Sequence, residues 1–172
     1  KDLFLKKVKK HCGKNVIVHN KAILEGNVYL DDGVVIHEYA KVVGPCYIGK
    51  NTIVGNYSMI RQSMIGDNCL IGGYTEVTRS YLGHHVSLHR NYVGDSVFEN
   101  DILCGSGMVC ANFRFDEGEI STPVKSVMTK TGFTKLGAFV GSHVKIGINS
   151  SLMPGVKIPT HTHITPHSFV RK

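Results

Sequence analysis

The chain has 172 residues, of which 42% are hydrophobic and 19% charged, and its formal net charge at pH 7 is +7. This length fits one domain with a sizeable core, and the absence of any apolar run of about 18 residues excludes a membrane-spanning helix. The basic residues are scattered, with no arginine-rich run and no aromatic platform among them, so we predict no nucleic-acid partner. Such positive charge also suits a phosphorylated small-molecule substrate.

Residues 1–15 form a basic segment whose apolar residues are interrupted by lysines, so they match neither a signal peptide nor a membrane anchor. We predict a short helix and linker here, with Asp2 near the helix start and Leu3, Leu5 and Val8 partly docked. The chain does not begin with Met, and we expect it to be part of a longer polypeptide. Five cysteines, an odd number that lies mostly on apolar repeat positions, favour a reducing, cytoplasmic location over a disulfide framework.

An apolar residue recurs at about every sixth position along most of the remaining chain. Such a hexapeptide period is typical of a parallel β-helix, whose triangular coils of about 18 residues bury their apolar positions by stacking. Strands of a β-sandwich, the alternative, do not hold one phase over so many consecutive units. We therefore predict an all-β parallel β-helix of about seven coils over residues 16–172. The inward positions are Val18, Leu24, Leu30, Ile36, Val42, Ile48, Val54, Ile60, Ile65, Ile71, Val77, Leu82, Leu88, Val93, Phe98, Cys104, Cys110, Val140, Ile146, Leu152, Ile158, Ile164 and Val170.

Two irregularities interrupt this period. The step between inward positions shortens to five residues in four places, and each shortened step predicts a tight corner. These steps are Ile60 to Ile65, Val77 to Leu82, Leu88 to Val93 and Val93 to Phe98. The period also stops over residues 111–135, and so long a loop in a compact repeat fold is usually functional or disordered. Its basic residues, which suit an anionic ligand, include Arg114, Lys125, Lys130 and Lys135.

The stretch YLGHHVSLHRNYVGD, residues 81–95, is dense in polar side chains. We single out His89 and Tyr92 from it, and Asn112 from the start of the loop. His89 directly follows an inward position, at an outward corner. An ordinary surface histidine is the alternative to a catalytic base there.

The chain resembles a known family in two stretches, HRNYVGDSVFENDILCGSGMVCANFRFDEGE and KLGAFVGSHVKIGINSSLMPGVKI. That family is the acetyltransferase domain of archaeal bifunctional sugar-1-phosphate nucleotidyltransferase/acetyltransferases, related to bacterial N-acetylglucosamine-1-phosphate uridyltransferase. The likeness is close over residues 76–158, and its most specific part is the spacing H-x-x-Y-V-G-D with a later G-x-G and A-N. The resemblance implies a left-handed parallel β-helix that forms a homotrimer, with acetyl-CoA in the groove between adjacent subunits.

The resemblance also implies roles for individual residues. His89 matches the general base that acts on the sugar amine, and Asn112 matches an asparagine near the reacting amine and thioester. Arg61 and Tyr92 match residues that hold the sugar phosphate. The small residues that match the lining of the coenzyme groove are Ser106, Ser142 and Thr160.

Three departures from the family pattern bear on substrate choice. The family lysine of one motif is absent, and we expect Arg79 to take over its charge but not its geometry. Archaeal relatives have lysines where this chain has Gly118 and Ser121, which leaves Lys125 as a displaced candidate for binding the substrate. Leu103 replaces a common asparagine.

The resemblance implies acetyl-CoA-dependent N-acetylation of an amino-sugar 1-phosphate, the glucosamine or galactosamine compound, in nucleotide-sugar biosynthesis. The amine attacks the thioester directly while His89 accepts its proton. No metal is required for this reaction. A covalent acetyl-cysteine is disfavoured because the cysteines lie mostly at inward positions.

Two alternative functions stay open. The first is a non-catalytic β-helix tail that oligomerises or regulates a nucleotidyltransferase, which the missing loop lysines favour and the retained polar motif opposes. The second is a metal enzyme like the γ-class carbonic anhydrases, because His84 and His89 have the required separation, although a third ligand about two coils earlier is missing. His143 and His161 are one coil apart and should stack, but stacked side chains are ordinary in solenoids.

Overall fold

The structure, a computed structural model, describes residues 5–172. Three parallel sheets of eight strands each, here called A, B and C, extend along the whole molecule. The chain adds one strand to A, then B, then C, so three successive strands make one coil of a left-handed parallel β-helix. The predicted fold is confirmed, with eight coils where about seven were expected.

The strands are short, and each pairs with the strand one coil before and after it in the same sheet. Sheet A contains β1 His11–Cys12, β4 Val28–Leu30, β7 Cys46–Ile48, β10 Met64–Ile65, β13 Tyr81–Leu82, β16 Val97–Phe98, β21 Phe139–Val140 and β24 Lys157–Ile158. Sheet B contains β2 Ile17–Val18, β5 Val35–Ile36, β8 Ile53–Val54, β11 Leu70–Ile71, β14 Ser87–Leu88, β17 Leu103–Cys104, β22 Lys145–Ile146 and β25 His163–Ile164. Sheet C contains β3 Ile23–Glu25, β6 Lys41–Val43, β9 Met59–Arg61, β12 Glu76–Thr78, β15 Tyr92–Gly94, β18 Val109–Cys110, β23 Ser151–Leu152 and β26 Phe169–Val170.

The apolar positions of the repeat form a single core along the helix axis. Every inward position from Leu30 to Ile158 is at most 6% exposed, whereas Val18 in the first coil is 39% exposed. Each coil buries its apolar side chains only against its neighbours, at the strand spacing of about 4.8 Å, so the terminal coil is less well covered.

The register of sheet A shows where the coils shorten. Partners lie 18 residues apart between His11 and Tyr29, 17 apart between Tyr47 and Met64, and 16 apart between Tyr81 and Val97. Three of the four shortened steps lie where sheet C turns into sheet A, which we call the C–A corner. The fourth lies at the B–C corner, between sheets B and C.

Buried serines close the three shortened C–A corners. The backbone N–H of Ser80 donates to Ser63 Oγ at 3.1 Å, and that of Ser96 donates to Ser80 Oγ at 3.1 Å. The backbone N–H of Ala138 then donates to Ser96 Oγ at 3.0 Å. Because each buried hydroxyl is bonded, the corner can be tight without leaving unpaired polar groups.

The N-terminal segment differs in part from its prediction. Leu5 is helical and buried, and Val8 is buried too, as expected for docked residues. The predicted positions of Asp2 and Leu3 lie outside the described residues. Strand β1, His11–Cys12, pairs with β4, so the β-helix begins inside the segment that was predicted as helix and linker.

The loop at residues 111–135 leaves the β-helix between β18 and β21, at the C–A corner. It contains an antiparallel hairpin of β19 Ser121–Val124 and β20 Val127–Lys130. Ile120 is fully buried, and Thr122 Oγ1 donates to the carbonyl of Gly155 at 2.8 Å, so the base of the hairpin is fixed to a later coil. Within residues 5–172 no helix is long and apolar enough to cross a membrane.

Candidate functional site

Six polar side chains meet at the C–A corner of the shortened coils. They project from β9, β12 and β15, from the turns that follow β12 and β15, and from the start of the long loop. The pairing of Arg61 with Thr78 and of Thr78 with Gly94 stacks these turns directly over one another. We call this group the polar cluster: Arg61, Glu76, Arg79, Tyr92, Asp95 and Asn112.

Two ion pairs organise the cluster. Arg61 Nη2 lies 2.6 Å from Glu76 Oε1. The second pair is bidentate, because Arg79 Nε donates to Asp95 Oδ1 at 2.7 Å and Nη2 donates to Oδ2 at 2.8 Å. The Asp95 side chain is only 13% exposed and raises the pKa of the Arg79 guanidinium. This geometry orients the arginine more firmly than an exposed pair does.

Asp95 also connects the arginine to the long loop. Asn112 Nδ2 donates to Asp95 Oδ2 at 2.5 Å. A Cβ at Gly94 would lie 2.6 Å from Tyr92 Oη and 2.7 Å from Asn112 Nδ2, so the strand needs glycine where these two groups meet. Burial, followed by the nearby Glu76 carboxylate, raises the pKa of Tyr92. Its phenol is therefore a neutral hydrogen-bond donor at physiological pH.

One donor of the cluster has no partner. Among the described residues, Arg61 Nε is the one buried side-chain nitrogen or oxygen without a hydrogen bond. A buried, unbonded guanidinium donor is costly, so the ion pair with Glu76 does not satisfy Arg61 completely.

A groove of about 510 Å³ runs beside the cluster along the C–A corner. Arg79 and Asp95 line one side, while Phe133 and Lys135 come from the long loop and Lys6 from the N-terminal segment. Three cationic side chains and one carboxylate border this groove. The arrangement suits a small anionic ligand.

His89 lies at the opposite end of strand β15, at the B–C corner. Its backbone N–H donates to Asn91 Oδ1 at 2.5 Å, and its imidazole is exposed. Gly72 and Gly105 occupy the equivalent positions one coil before and after it, so no side chain stacks on the ring from either side. The structure thus brings Arg61, Arg79, Tyr92 and Asn112 together, but within one chain it leaves His89 across the width of sheet C.

The remaining predicted residues are dispersed. Lys125 lies in the turn of the hairpin, with φ of 45°, and is exposed. Ser142 and Thr160 adjoin one another at the corner between sheets A and B, and Ser142 Oγ donates to Glu99 Oε2 at 2.9 Å. Ser106 lies at the B–C corner, so the three expected coenzyme contacts do not converge within one chain.

The histidines give no site of the carbonic anhydrase type within one chain. His84 and His89 lie at opposite ends of β14, at different corners. The predicted stack of His143 on His161 is confirmed, with ring centroids 4.7 Å apart.

The buried cysteines are poor nucleophiles. Desolvation by burial raises the pKa of Cys46 and of Cys69 to about 11 and that of Cys110 to about 12. The pKa of Cys104 is raised well above its ordinary value for the same reason, whereas the Cys12 side chain is exposed. A thiol must ionise to attack a thioester, so this agrees with direct transfer.

Sequence reasoning missed Glu76 and Asp95, and it included Lys135 only as one of several loop lysines. A signal for Asp95 was present, because each shortened C–A corner has a single residue between the end of a sheet C strand and a buried serine. Those single residues are Gln62, Arg79 and Asp95. Glu76 had no such signal, since it is one of many outward strand positions.

Residues 8–105 match the family described as GMPPB C-terminal domain. A bifunctional sugar-1-phosphate nucleotidylyltransferase/acetyltransferase from Sulfurisphaera tokodaii is 46% identical over 84 residues, which are 49% of this chain and 21% of that protein. The bifunctional protein GlmU of Methanococcus maripaludis strain S2 is 34% identical over 186 residues, which cover 97% of this chain and 40% of that protein. The chain thus spans at most about two fifths of the length of these relatives.

Among solved structures, the UDP-N-acetylglucosamine acyltransferase from Campylobacter jejuni is 18% identical, with a TM-score of 0.49, and the match covers 87% of this chain and 65% of that one. The N-acyltransferase AntD from Bacillus cereus, in complex with dTDP and 3-hydroxybutyryl-CoA, is 16% identical with a TM-score of 0.39, over 100% of this chain and 78% of that one.

Proposed function

The chain belongs to the family of GMPPB C-terminal domains, and from this premise we propose that it N-acetylates an amino-sugar 1-phosphate with acetyl-CoA. The polar cluster is the observation that carries the proposal. It combines two oriented arginines, a neutral tyrosine phenol and an asparagine amide beside a cationic groove. Relatives named acetyltransferases and GlmU support the same class of reaction.

The reaction we propose is a direct acyl transfer. The amine nitrogen of the sugar attacks the thioester carbonyl carbon, the carbon–sulfur bond breaks, and the thiol of coenzyme A leaves. His89 accepts the proton that the amine loses, because a neutral imidazole is a good base near pH 7. The Asn112 amide is placed to donate a hydrogen bond to the oxyanion of the tetrahedral intermediate.

The phosphate of the acceptor binds at the cationic side of the cluster. Arg61 contributes its positive charge, and Arg79 is held in one orientation by Asp95. Lys6 and Lys135 border the adjoining groove and add positive potential. Tyr92 contributes a phenol donor, and Lys125 approaches only if the hairpin moves toward the groove. Charge-assisted hydrogen bonds of this kind favour phosphorylated over unphosphorylated sugars.

We propose that a homotrimer completes the site, because His89 and the polar cluster lie at different corners of one chain. The outer face of sheet B supports self-association, since its outward positions form an apolar strip over the first four coils that resumes in the sixth, after Ser87. The residues of this strip are Ile17, Val35, Ile53, Leu70 and Leu103. Acetyl-CoA would then lie between subunits, in contact with Ser106 of one chain and with Ser142 and Thr160 of the next. All five thiols are unpaired, in keeping with a cytoplasmic enzyme.

A non-catalytic, oligomerising tail is the second candidate. The observation in its favour is that Arg61 and Arg79 already have carboxylate partners, which a purely structural ion-pair network would also show. A scaffold, however, has no need of a tyrosine phenol and an asparagine amide that meet beside Gly94.

The test is thiol release from acetyl-CoA in the presence of glucosamine 1-phosphate or galactosamine 1-phosphate. We expect release that requires the amino sugar and yields its N-acetyl product. Trimers mixed from His89→Ala and Arg79→Ala chains then locate the site. Activity should return in the mixture if the two residues act across a subunit boundary, and stay absent if they act within one chain. No thiol release by the wild-type protein with any amino-sugar phosphate would favour the tail.

A further inference from the structure

Two histidines that the acetyl-transfer proposal does not use lie close together at the B–C corner of the first coils. His19 follows β2 and His37 follows β5, and the pairing of Val18 with Ile36 places them one directly above the other. Their ring centroids are 5.1 Å apart and the ring planes differ by 18°. Both side chains are partly buried, so they are less mobile than fully exposed histidines.

Glu38 adds a carboxylate to this pair. Its Oε1 lies 3.0 Å from His19 Nδ1, and its other oxygen accepts a hydrogen bond from Asn56 Nδ2 at 3.1 Å. The second coil, which carries both His37 and Glu38, thus places a carboxylate oxygen beside the His19 imidazole of the first coil.

The spacing of these donors fits a transition-metal ion. One donor atom from each of the three residues lies within 4.8 Å of the other two, and within residues 5–172 no other group of three histidine, cysteine or acidic side chains meets this condition. Zinc binds nitrogen and carboxylate oxygen at about 2.0–2.2 Å in a tetrahedron, so its ligand atoms are about 3.4 Å apart. The 3.0 Å separation of His19 Nδ1 and Glu38 Oε1 is already close to that value.

A second histidine stack in the same molecule shows that stacking alone does not create such a site. His143 and His161 are stacked at 4.7 Å, but the carboxylate near them, Asp101, lies 3.6 Å from His143 and is shared with His85 at 3.0 Å. Asp101 therefore bridges coils along the corner, and its partners do not converge on one point. This pair is a natural control for the first.

We propose that His19, His37 and Glu38 bind a divalent transition-metal ion of the zinc class. Two imidazoles and one carboxylate are a ligand set that zinc accepts, and Asn56 orients the carboxylate from the next coil. The ion would join the first coil to the second, where Ile17 and Val18 are 53% and 39% exposed and the core is least covered. Its role is to stabilise the N-terminal end, separately from acetyl transfer.

Titration of metal-free protein with zinc chloride by calorimetry tests this proposal. We expect one tight site per chain and a thermal midpoint raised by several degrees at saturating zinc. Cobalt bound in place of zinc should give an intense visible absorption at longer wavelength than hydrated cobalt, as expected for a four-coordinate ion. The double variant His19→Ala, His37→Ala should lose this site. Glu38→Gln, which keeps the stack, should weaken it about 100-fold, and Asn56→Ala about tenfold.

The variant His143→Ala, His161→Ala is the matched control and should keep both the stoichiometry and the affinity. Zinc binding that survives loss of His19 and His37, or that disappears with His143 and His161 instead, would overturn the assignment. Circular dichroism of each variant confirms that the coils remain folded. Acetyl-transfer activity at a temperature well below the thermal midpoint should be the same with and without zinc.

Discussion

The first coils and the middle coils of the β-helix use the same sheets but build different corners. In the first coils the C–A corner contains two residues, such as Gly44 and Pro45, between the end of a sheet C strand and the next buried residue, here Cys46. In the middle coils it contains one, as at Arg79 and Asp95. Because each of these corners presents a single side chain, consecutive coils place charged groups in a column at strand spacing.

The ion pairs of the two regions differ accordingly. Glu25 and Lys41 lie on adjacent coils of sheet C and are 2.8 Å apart, but their side chains are 50% and 39% exposed. In the pair of Arg79 and Asp95 the exposures are 31% and 13%, and the contact is bidentate. An exposed ion pair contributes little to stability, whereas a shielded, bidentate pair fixes the orientation of its two side chains. Where the corner has one residue fewer, a shielded and bidentate ion pair thus replaces the exposed pair of the first coils.

The largest effect should come from the proposed base. His89→Ala is expected to lower kcat about 10²- to 10⁴-fold with nearly unchanged affinity for coenzyme A, because a general base acts in the transition state. Steady-state kinetics and coenzyme titration measure the two quantities. His84→Ala, one sheet B strand away, is the control and should remain active; an equal loss there would remove His89 from the base role.

Lengthening a shortened corner should remove the side-chain arrangement that distinguishes the middle coils from the first coils. One glycine inserted after Arg79 would restore a six-residue step and displace the arginine from Asp95, so kcat/KM should fall by about 100-fold or more. The same insertion after Gly26 should leave activity intact. If both insertions are tolerated equally, the shortened corner is not what organises the site.

Removal of one arginine should separate phosphate binding from sugar binding. Arg61→Ala is expected to raise KM for the amino-sugar 1-phosphate tenfold to a hundredfold, and KM for the unphosphorylated sugar much less, since charge-assisted bonds to phosphate contribute about 1.5–3 kcal/mol each. Lys125→Ala should have a smaller effect because its side chain is exposed and screened by salt. Equal changes for both sugars would require the amine and phosphate ends of the site to be reassigned.

The packing of the core should be the same in the first coils and in the middle coils. Ile36→Ala in the regular coils and Ile71→Ala in the shortened coils each empty a fully buried position, and each should cost about 2–5 kcal/mol of unfolding free energy in urea. A much smaller cost for Ile71→Ala would mean that the shortened coils are packed more loosely.

Thiol labelling should give the smallest effect, a difference in reaction rate between exposed Cys12 and the four buried cysteines. Below about pH 9 the thiols of Cys46 and Cys69 stay protonated, because their pKa values are raised to about 11, and reactivity should rise only as the pH approaches that value. At pH 8 a thiol reagent should therefore modify Cys12 rapidly and the other four slowly. Rapid labelling of a second cysteine in the native protein would contradict the buried placement of the four.

Periodicity alone predicted the inward positions and the four shortened steps, because a residue every sixth place must face the core for the coils to stack. It did not predict the hairpin of residues 121–130, which has no hexad phase, or strand β1, which lies before the first clear repeat. The ion pairs were also missed. Whether Arg61 contacts Glu76 depends on the register between coils, which the sequence alone does not show. We therefore predicted that both Arg61 and Arg79 are free to bind phosphate.

The most direct measurement is a crystal structure of the protein with coenzyme A and an amino-sugar 1-phosphate bound. Our account predicts a trimer in which the sugar phosphate contacts Arg61 and Arg79 at a C–A corner. The amine should lie within hydrogen-bonding distance of His89, with the coenzyme between two chains. A sugar phosphate bound away from the shortened corners, or a monomer that holds both ligands on one chain, would contradict it.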